Sequence, residues 1–134
     1  MFLLIIGGGN MSYIYYNPNP LKLSVGDCTI RAISKVTGMD WKRTYLELLI
    51  QGYLMYDMPS ANRVWGELLK RFGFTQKLLP DTCPDCYTVK DFCNDFPTGI
   101  FVLGTGAHVI AVIDGNYYDS WDSGNEIPTY FFER

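Results

Sequence analysis

The sequence lacks several features that would place it in familiar functional classes. No apolar run approaches the roughly 20 residues of a membrane-spanning helix, so we expect no membrane partner. Lys and Arg total 11 against 14 Asp and Glu, and no basic stripe is present, so we expect no nucleic-acid partner. Internal repeats and low-complexity tracts are also absent. With 134 residues, 48% of them hydrophobic, the chain instead has the composition of one folded domain.

The first ten residues, MFLLIIGGGN, lack the basic start and the longer apolar stretch of a secretory signal. The Gly-Gly-Gly-Asn run before Met11 is what a purine-rich ribosome-binding site yields when it is translated. We therefore expect Met11 to be the native start, residues 1–10 to be a non-native extension and residues 11–134 to form a single domain. The alternative interpretation is a short edge strand from Phe2 to Ile6.

Cysteine is scarce, with four residues and no secretory signal, which predicts a reducing, cytoplasmic compartment and thiols rather than disulfides. The Cys83-Pro-Asp-Cys86 segment with Cys93 beyond it is suggestive of a metal knuckle. A structural zinc site needs four ligands, and only three cysteines are available there. Asp81, Asp85 or Asp91 would be a less typical fourth ligand. We therefore expect no metal and no cofactor, and interpret the three cysteines as thiols on a loop.

Hydrophobic periodicity predicts helices first and strands last. The Asn-Pro-Asn-Pro run at 17–20 opposes helix, so residues 12–27 are expected to form a loop or an extended arm. Phe74 to Leu79 is a candidate short strand. Four helices are expected along the chain, beginning after the N-cap residues Asp27, Asp40, Ser60 and Thr88. The first, third and fourth of them are expected to end at Gly38, Gly73 and Pro97.

From Gly99 onward, four segments rich in β-branched and aromatic residues are separated by turns: IFVLG, HVIAVID, NYYDSW and PTYFFE. Asp114-Gly115, between the second and third segments, is a strong signal for a two-residue hairpin turn. Helices followed by an antiparallel sheet predict an α+β fold, with the helices packed on that C-terminal sheet.

Cys28 and His108 are the candidate reactive pair. Cys28 is expected in the first turn of a helix, where unpaired backbone N–H groups and the helix dipole stabilise a thiolate. Its alternative role is a small apolar residue that packs the helix start. His108 is the only histidine in the sequence, so any cysteine–histidine mechanism must use it. A lone histidine at a strand edge also has a purely structural interpretation.

The hairpin selects the carboxylate that can reach His108. With a turn at Asp114-Gly115, His108 pairs with Trp121, and Asp119 shares the face of His108 as a diagonal neighbour about 7–8 Å away between Cα atoms. Asp122 falls on the opposite face. Asp114 lies six residues along the same strand, roughly 20 Å from His108. A three-residue loop would break this register.

The order of these residues resembles that of papain-like thiol hydrolases. In those enzymes a cysteine opens a helix, a histidine opens a strand, and an Asn-Ser-Trp segment follows, to which Asp119-Ser120-Trp121 is similar with Asp in place of Asn. The GDCTIRAIS segment, residues 26–34, also resembles small papain-like proteins of phages and gut bacteria. The resemblance covers most of the chain after Met11. It implies a papain-like fold and a triad of Cys28, His108 and Asp119, with Trp121 shielding the histidine–acid contact from water.

The resemblance also implies an activity, with one departure. Papain relatives carry an oxyanion-stabilising glutamine before the cysteine, whereas Lys22 stands at that offset here, so Asn19 or Asn17 is the candidate donor. Both asparagines equally suit turn formation. The implied function is hydrolysis of a peptide or amide bond in a peptide or protein substrate, or acyl transfer by the same triad. The alternative is a non-catalytic papain-like binding module of a phage or mobile element.

Overall fold

The computed structural model describes residues 12–134, so the expected non-native start at residues 1–10 and its alternative strand lie outside the described residues. Within 12–134 the chain forms four helices and six strands. The helices are α1 (Cys28–Thr37), α2 (Trp41–Leu54), α3 (Asn62–Arg71) and α4 (Val89–Asp95). The strands are β1 (Ser12–Tyr15), β2 (Thr75–Leu78), β3 (Ile100–Gly104), β4 (Val109–Ile113), β5 (Asn116–Asp119) and β6 (Tyr130–Glu133).

The six strands form one mixed sheet in the order β1-β5-β4-β3-β6-β2. The α+β class is therefore confirmed, and the short strand expected near residues 74–79 is present as β2 at one edge. The expectation of a loop or arm from residue 12 onward is wrong for the first four residues. They form β1, which pairs parallel with β5, so the sheet is not purely antiparallel. The prolines that oppose helix begin only at Pro18, which leaves the Tyr- and Ile-rich start free to pair.

Helices cover both faces of the sheet. α1, α2 and α3 pack on one face, where Val109 and Ala111 of β4 join the core beneath them. α4 packs on the other face against Ile110 and Val112 of the same strand. Both faces of β4 are thus buried, which explains its continuous apolar sequence. The arrangement fixes the N-terminus of α1 beside the start of β4, with α1 held by the sheet below it and α2 above it.

The predicted helix ends are partly correct. Gly38 ends α1 in the left-handed conformation, with φ of 77°. Asp40 caps α2 by accepting from the Arg43 backbone N–H, and Thr88 begins α4 with a capping box. Asp27 precedes α1 but makes no side-chain cap, because its carboxylate binds side chains instead. The Ser60 prediction is wrong by one residue, since α3 begins after Ala61.

The expectation of four thiols is wrong for Cys83 and Cys86, which form a disulfide across the Pro-Asp pair between them. Their Cα atoms lie 4.1 Å apart, which a sequence gap of three permits only in a tight turn. Cys93 is a buried thiol on α4, and Cys28 is a half-buried thiol. Two of the three candidate zinc ligands are therefore joined to each other, and residues 12–134 contain no cluster of side chains that could hold a metal.

None of the helices formed by residues 12–134 combines the length and the apolar character needed to cross a bilayer.

Candidate active site

The β4–β5 hairpin determines the geometry of the site. Asp114 and Gly115 form its two-residue turn with φ of 50° and 79°, and Ile113 pairs with Asn116 as the Asp-Gly signal predicts. The predicted register is thereby confirmed. It places the end of β5 beside the residue that precedes β4, so that the Nε2 atom of His108 lies 2.6 Å from Oδ2 of Asp119.

Cys28 is the first residue of α1, and its half-buried thiol lies close enough to His108 for each group to shift the pKa of the other. Burial opposes the thiolate, but the neighbouring His108 outweighs burial and holds the pKa of Cys28 below its usual value. The Val109 backbone N–H and the charge of Arg31 act in the same direction. Since Nε2 of His108 faces Asp119, Nδ1 is the ring nitrogen left for the thiol.

His108 lies between the thiol and the carboxylate and responds to both. Burial opposes the imidazolium, yet the hydrogen bonds to Asp119 and Cys28 are stronger influences together and raise the pKa of His108 from 6.5 to about 9. A lowered thiol pKa beside a raised imidazole pKa favours the thiolate–imidazolium pair near neutral pH. The site therefore places a thiol with a lowered pKa beside an imidazole with a raised pKa.

Asp119 is completely buried, and both of its carboxylate oxygens accept several hydrogen bonds. Oδ2 accepts from His108 and from the Ser123 hydroxyl, each at 2.6 Å. Oδ1 accepts from the Ser120 backbone N–H at 2.8 Å and from two guanidinium nitrogens of Arg31 at 2.9 and 3.0 Å. Burial opposes ionisation, but these partners, with His108 and Ser123 foremost, hold the pKa of Asp119 below its usual value.

Arg31 and Asp27 extend the site, and sequence reasoning assigned neither of them to it. The guanidinium of Arg31 lies between two carboxylates, 2.7 Å from Asp27 through Nη1 and 2.9 Å from Asp119 through Nη2. The second oxygen of Asp27 accepts from the Trp41 indole at 2.8 Å. The spacing of Asp27 and Arg31, four residues apart at a helix start, was a signal for their pairing. No sequence signal pointed to Ser123.

Trp121 lies over the imidazole of His108, with ring centroids 4.9 Å apart and planes inclined by 34°. The indole is half-exposed while the His108 side chain is 12% exposed. The indole thus covers one face of the imidazole, at the place where the resemblance implies a shield. The structure brings Cys28, His108, Asp119 and Trp121 together.

Asn17 and Asn19 are buried, but their side chains organise their own loop. The Asn19 side-chain oxygen accepts from the backbone of Leu21 at 2.9 Å and of Leu23 at 3.3 Å, and the Asn17 oxygen accepts from the Asn19 backbone at 3.2 Å. The Asn17 side-chain nitrogen faces the Leu23 carbonyl at 3.4 Å. Lys22, at the offset of the usual glutamine, donates to the Asn17 carbonyl. These contacts fit the turn-forming interpretation, and only the Asn19 side-chain nitrogen is left as a candidate oxyanion donor.

No protein-family model, curated protein or solved structure matches this chain. The geometry itself consists of a thiol at a helix N-terminus, an imidazole beside it and a buried carboxylate in contact with the imidazole.

Proposed function

We propose that the protein is a papain-like thiol hydrolase, a cysteine peptidase or amidase that cleaves a peptide or amide bond with Cys28, His108 and Asp119. The observation that supports this most is the contact of His108 with the buried Asp119 at 2.6 Å, with the Cys28 thiol close enough to His108 for the two to shift each other's pKa. A small apolar residue at a helix start requires no imidazole partner. A structural histidine requires no thiol with a lowered pKa beside it.

The proposed reaction begins with attack of the Cys28 thiolate on the substrate carbonyl carbon. A C–S bond forms and the carbonyl electrons move to oxygen. When the C–N bond breaks, the His108 imidazolium gives its proton to the leaving amine. Neutral His108 then accepts a proton from water, which attacks the thioester and releases the acid and the Cys28 sulfur. Asp119 keeps the Nε2–H of His108 oriented through both halves of the reaction.

The oxyanion requires donors aimed at the place where its charge develops. The Cys28 backbone N–H is one candidate donor. Cys28 is the first residue of α1, and the first N–H groups of a helix have no partner within the helix. Asn19 is the proposed side-chain donor, because its nitrogen is not among the atoms that hold its loop. An amine in place of water would convert the same steps into acyl transfer.

A second candidate is a non-catalytic papain-like binding module, of the kind a phage or mobile element uses. The specific observation that favours it is the set of loop contacts made by Asn17, Asn19 and Lys22, where a papain-like enzyme has a dedicated glutamine. The buried network around Asp119 argues against the binding module. It acts through His108 on the Cys28 thiol, and a binding surface has no need for a thiol with a lowered pKa.

Two experiments test the proposal. Reaction with iodoacetamide, followed by peptide mass analysis, compares Cys28 with Cys93, a buried thiol whose pKa burial raises to about 12 and which serves as an internal control. We expect Cys28 to react far faster. A mixed peptide library is then incubated with the wild type, with Cys28→Ala and with Cys93→Ala. Cleavage by the wild type and Cys93→Ala alone supports the hydrolase, whereas a Cys28 that reacts like an ordinary thiol, together with no cleavage, favours the binding module.

A further inference from the structure

The network behind His108 contains more charge than a cysteine–histidine–acid site needs. Asp27, Arg31 and Asp119 are 5%, 5% and 0% exposed. A single guanidinium therefore serves two buried carboxylates, which leaves one negative charge to be balanced. Within residues 12–134 no buried side-chain nitrogen or oxygen lacks a hydrogen-bond partner, so the network is fully satisfied. The imidazolium of His108, which contacts Asp119, is a further cation of this network, and the network shares it with the Cys28 thiolate.

Arg31 connects the helix of the nucleophile to the strand of the acid. It lies three residues after Cys28, on the same side of α1, and reaches across to β5 through Nε and Nη2. Both nitrogens bind Oδ1 of Asp119, which leaves Oδ2 directed at His108. The direction of the carboxylate therefore depends on a side chain that does not itself contact the thiol.

Asp27 holds the other end of the guanidinium. It binds Nη1 of Arg31 at 2.7 Å, and the Trp41 indole fixes its second oxygen. Because the two carboxylates compete for one positive charge, a change at Asp27 alters the charge that Asp119 experiences. The other ionisable group that faces Asp119 from a neighbouring strand is Tyr13 of β1, whose hydroxyl donates to the Asp119 carbonyl at 3.1 Å. Asp122 is a further carboxylate whose charge acts on Tyr13.

We propose that Arg31 is a positioning residue of the thiol site, which holds Asp119 ionised and aimed at His108, and that Asp27 sets how much of the Arg31 charge reaches that carboxylate. This inference rests on the proposed function, because it concerns the same thiol. It predicts that neutralising Arg31 and neutralising Asp27 have opposite effects on the stability of the Cys28 thiolate. Loss of the Arg31 charge disfavours the Cys28 thiolate, and loss of the Asp27 charge favours it.

The test is the pH at which Cys28 becomes reactive toward iodoacetamide, measured from pH 4 to 9 in the full chain. For Arg31→Met we expect that pH to rise by about one unit, with alkylation at acidic pH about tenfold slower. For Asp27→Asn we expect it to fall. The double variant, Asp27→Asn with Arg31→Met, restores the local charge balance and is expected near the wild-type value. Arg31→Lys keeps the charge and is expected to recover part of the shift.

A matched control is Arg43→Met, which removes the arginine of an exposed ion pair with Glu47 on α2 and is expected to shift nothing. Shifts in the same direction for Arg31→Met and Asp27→Asn, or no shift in either, overturn the inference while leaving an activated Cys28 in the wild type. If Arg31→Met does not fold, the downward shift in Asp27→Asn and an upward shift of less than about one unit in Arg31→Lys decide the matter. A wild-type Cys28 that reacts like a free thiol contradicts the proposed function itself.

Discussion

The Nε2 atom of His108 lies 2.6 Å from Oδ2 of Asp119, eleven residues further along the chain. A two-residue turn produces this contact, because its register makes His108, which precedes β4, a diagonal neighbour of Asp119, the last residue of β5. A turn longer or shorter by one residue would direct Asp119 to the opposite face of the sheet. The contact of His108 with Asp119 thus depends on the length of this turn.

Replacement of Asp119 by Asn is expected to destabilise the fold strongly. The papain-like sites that this segment resembles commonly carry Asn, and that fact taken by itself would predict only a mild loss of stability. In this chain both carboxylate oxygens accept from donors, so an amide directs its NH₂ either at Arg31 or at His108. We expect Asp119→Asn to lower the free energy of unfolding by about 3 kcal/mol, measured by urea denaturation.

The same variant is expected to lower the pKa of His108 by roughly one unit or more, since the imidazolium loses its charged partner. NMR titration measures this directly, because the sequence has a single histidine. Asp122→Asn is the matched control: Asp122 binds Tyr117 and the Gly124 backbone, so this change is expected to leave the His108 titration in place. Equal shifts of the His108 pKa in the two variants would show that Asp119 is not the charged partner of the imidazolium.

The dependence of stability on pH is expected to change when the thiol is removed. His108 has a raised pKa, about 9 against 6.5, so its contribution is fully present below pH 6.5 and is lost as pH rises through about 9. Cys28 has a lowered pKa, so its contribution is present above the unfolded value and is lost as pH falls through the folded value. Over the pH range in which both groups titrate, the two terms have opposite slopes and offset each other.

Cys28→Ser removes the thiolate term and the part of the raised His108 pKa that Cys28 supplies, while Asp119 still raises that pKa. Its free energy of unfolding, measured by urea denaturation at several pH values, is expected to decline between pH 6.5 and 9 more steeply than that of the wild type. Parallel curves for the two proteins would mean that Cys28 and His108 do not titrate as a pair.

Trp121 is expected to stabilise the charged form of His108. The indole lies 4.9 Å from the imidazole, and an exposed cation–π contact contributes about 0.5–1 kcal/mol. Trp121→Ala should therefore lower the His108 pKa by roughly half a unit, read by NMR. Trp121→Phe keeps a ring in place and should lie closer to the wild type. An unchanged titration in Trp121→Ala would leave the indole with no electrostatic role.

Removal of the Cys83–Cys86 disulfide is expected to leave the site intact. The pair lies in an exposed loop before α4, which packs on the face of the sheet away from α1. Because the closed loop is very short, the double Ser variant should lose no more than about 2 kcal/mol of stability. Alkylation of Cys28 should keep its wild-type rate and pH dependence. A slower Cys28 in that variant would show that the loop is coupled to the site.

The parts of the site that the sequence predicted are those that local chemistry determines. Asp114-Gly115 specifies a two-residue turn by its left-handed preference, and the turn alone places Asp119 with His108. Gly38 and Thr88 likewise end and begin helices through their own backbone and side chain. The α+β class follows from the change of hydrophobic periodicity near Gly99.

The missed parts depend on residues that meet only in the folded chain. The Arg31–Asp119 contact joins residues 88 apart, and Asp27 has the chemistry of a helix cap until Arg31 and Trp41 bind its carboxylate. β1 is a four-residue strand whose partner, β5, lies about a hundred residues further on, so no local pattern specified it. The disulfide of Cys83 was missed because the expectation rested on the compartment rather than on the turn.

The central claim is that Cys28 and His108 form a thiolate–imidazolium pair, and the most direct measurement is the rate of Cys28 alkylation from pH 4 to 9 in the wild type and in His108→Ala. We predict that the wild type keeps reacting rapidly well below pH 7, where an ordinary thiol of pKa about 8.5 is almost wholly protonated, and that His108→Ala loses this low-pH reaction. A wild-type profile that rises only near pH 8.5 and is unchanged by His108→Ala would contradict the account.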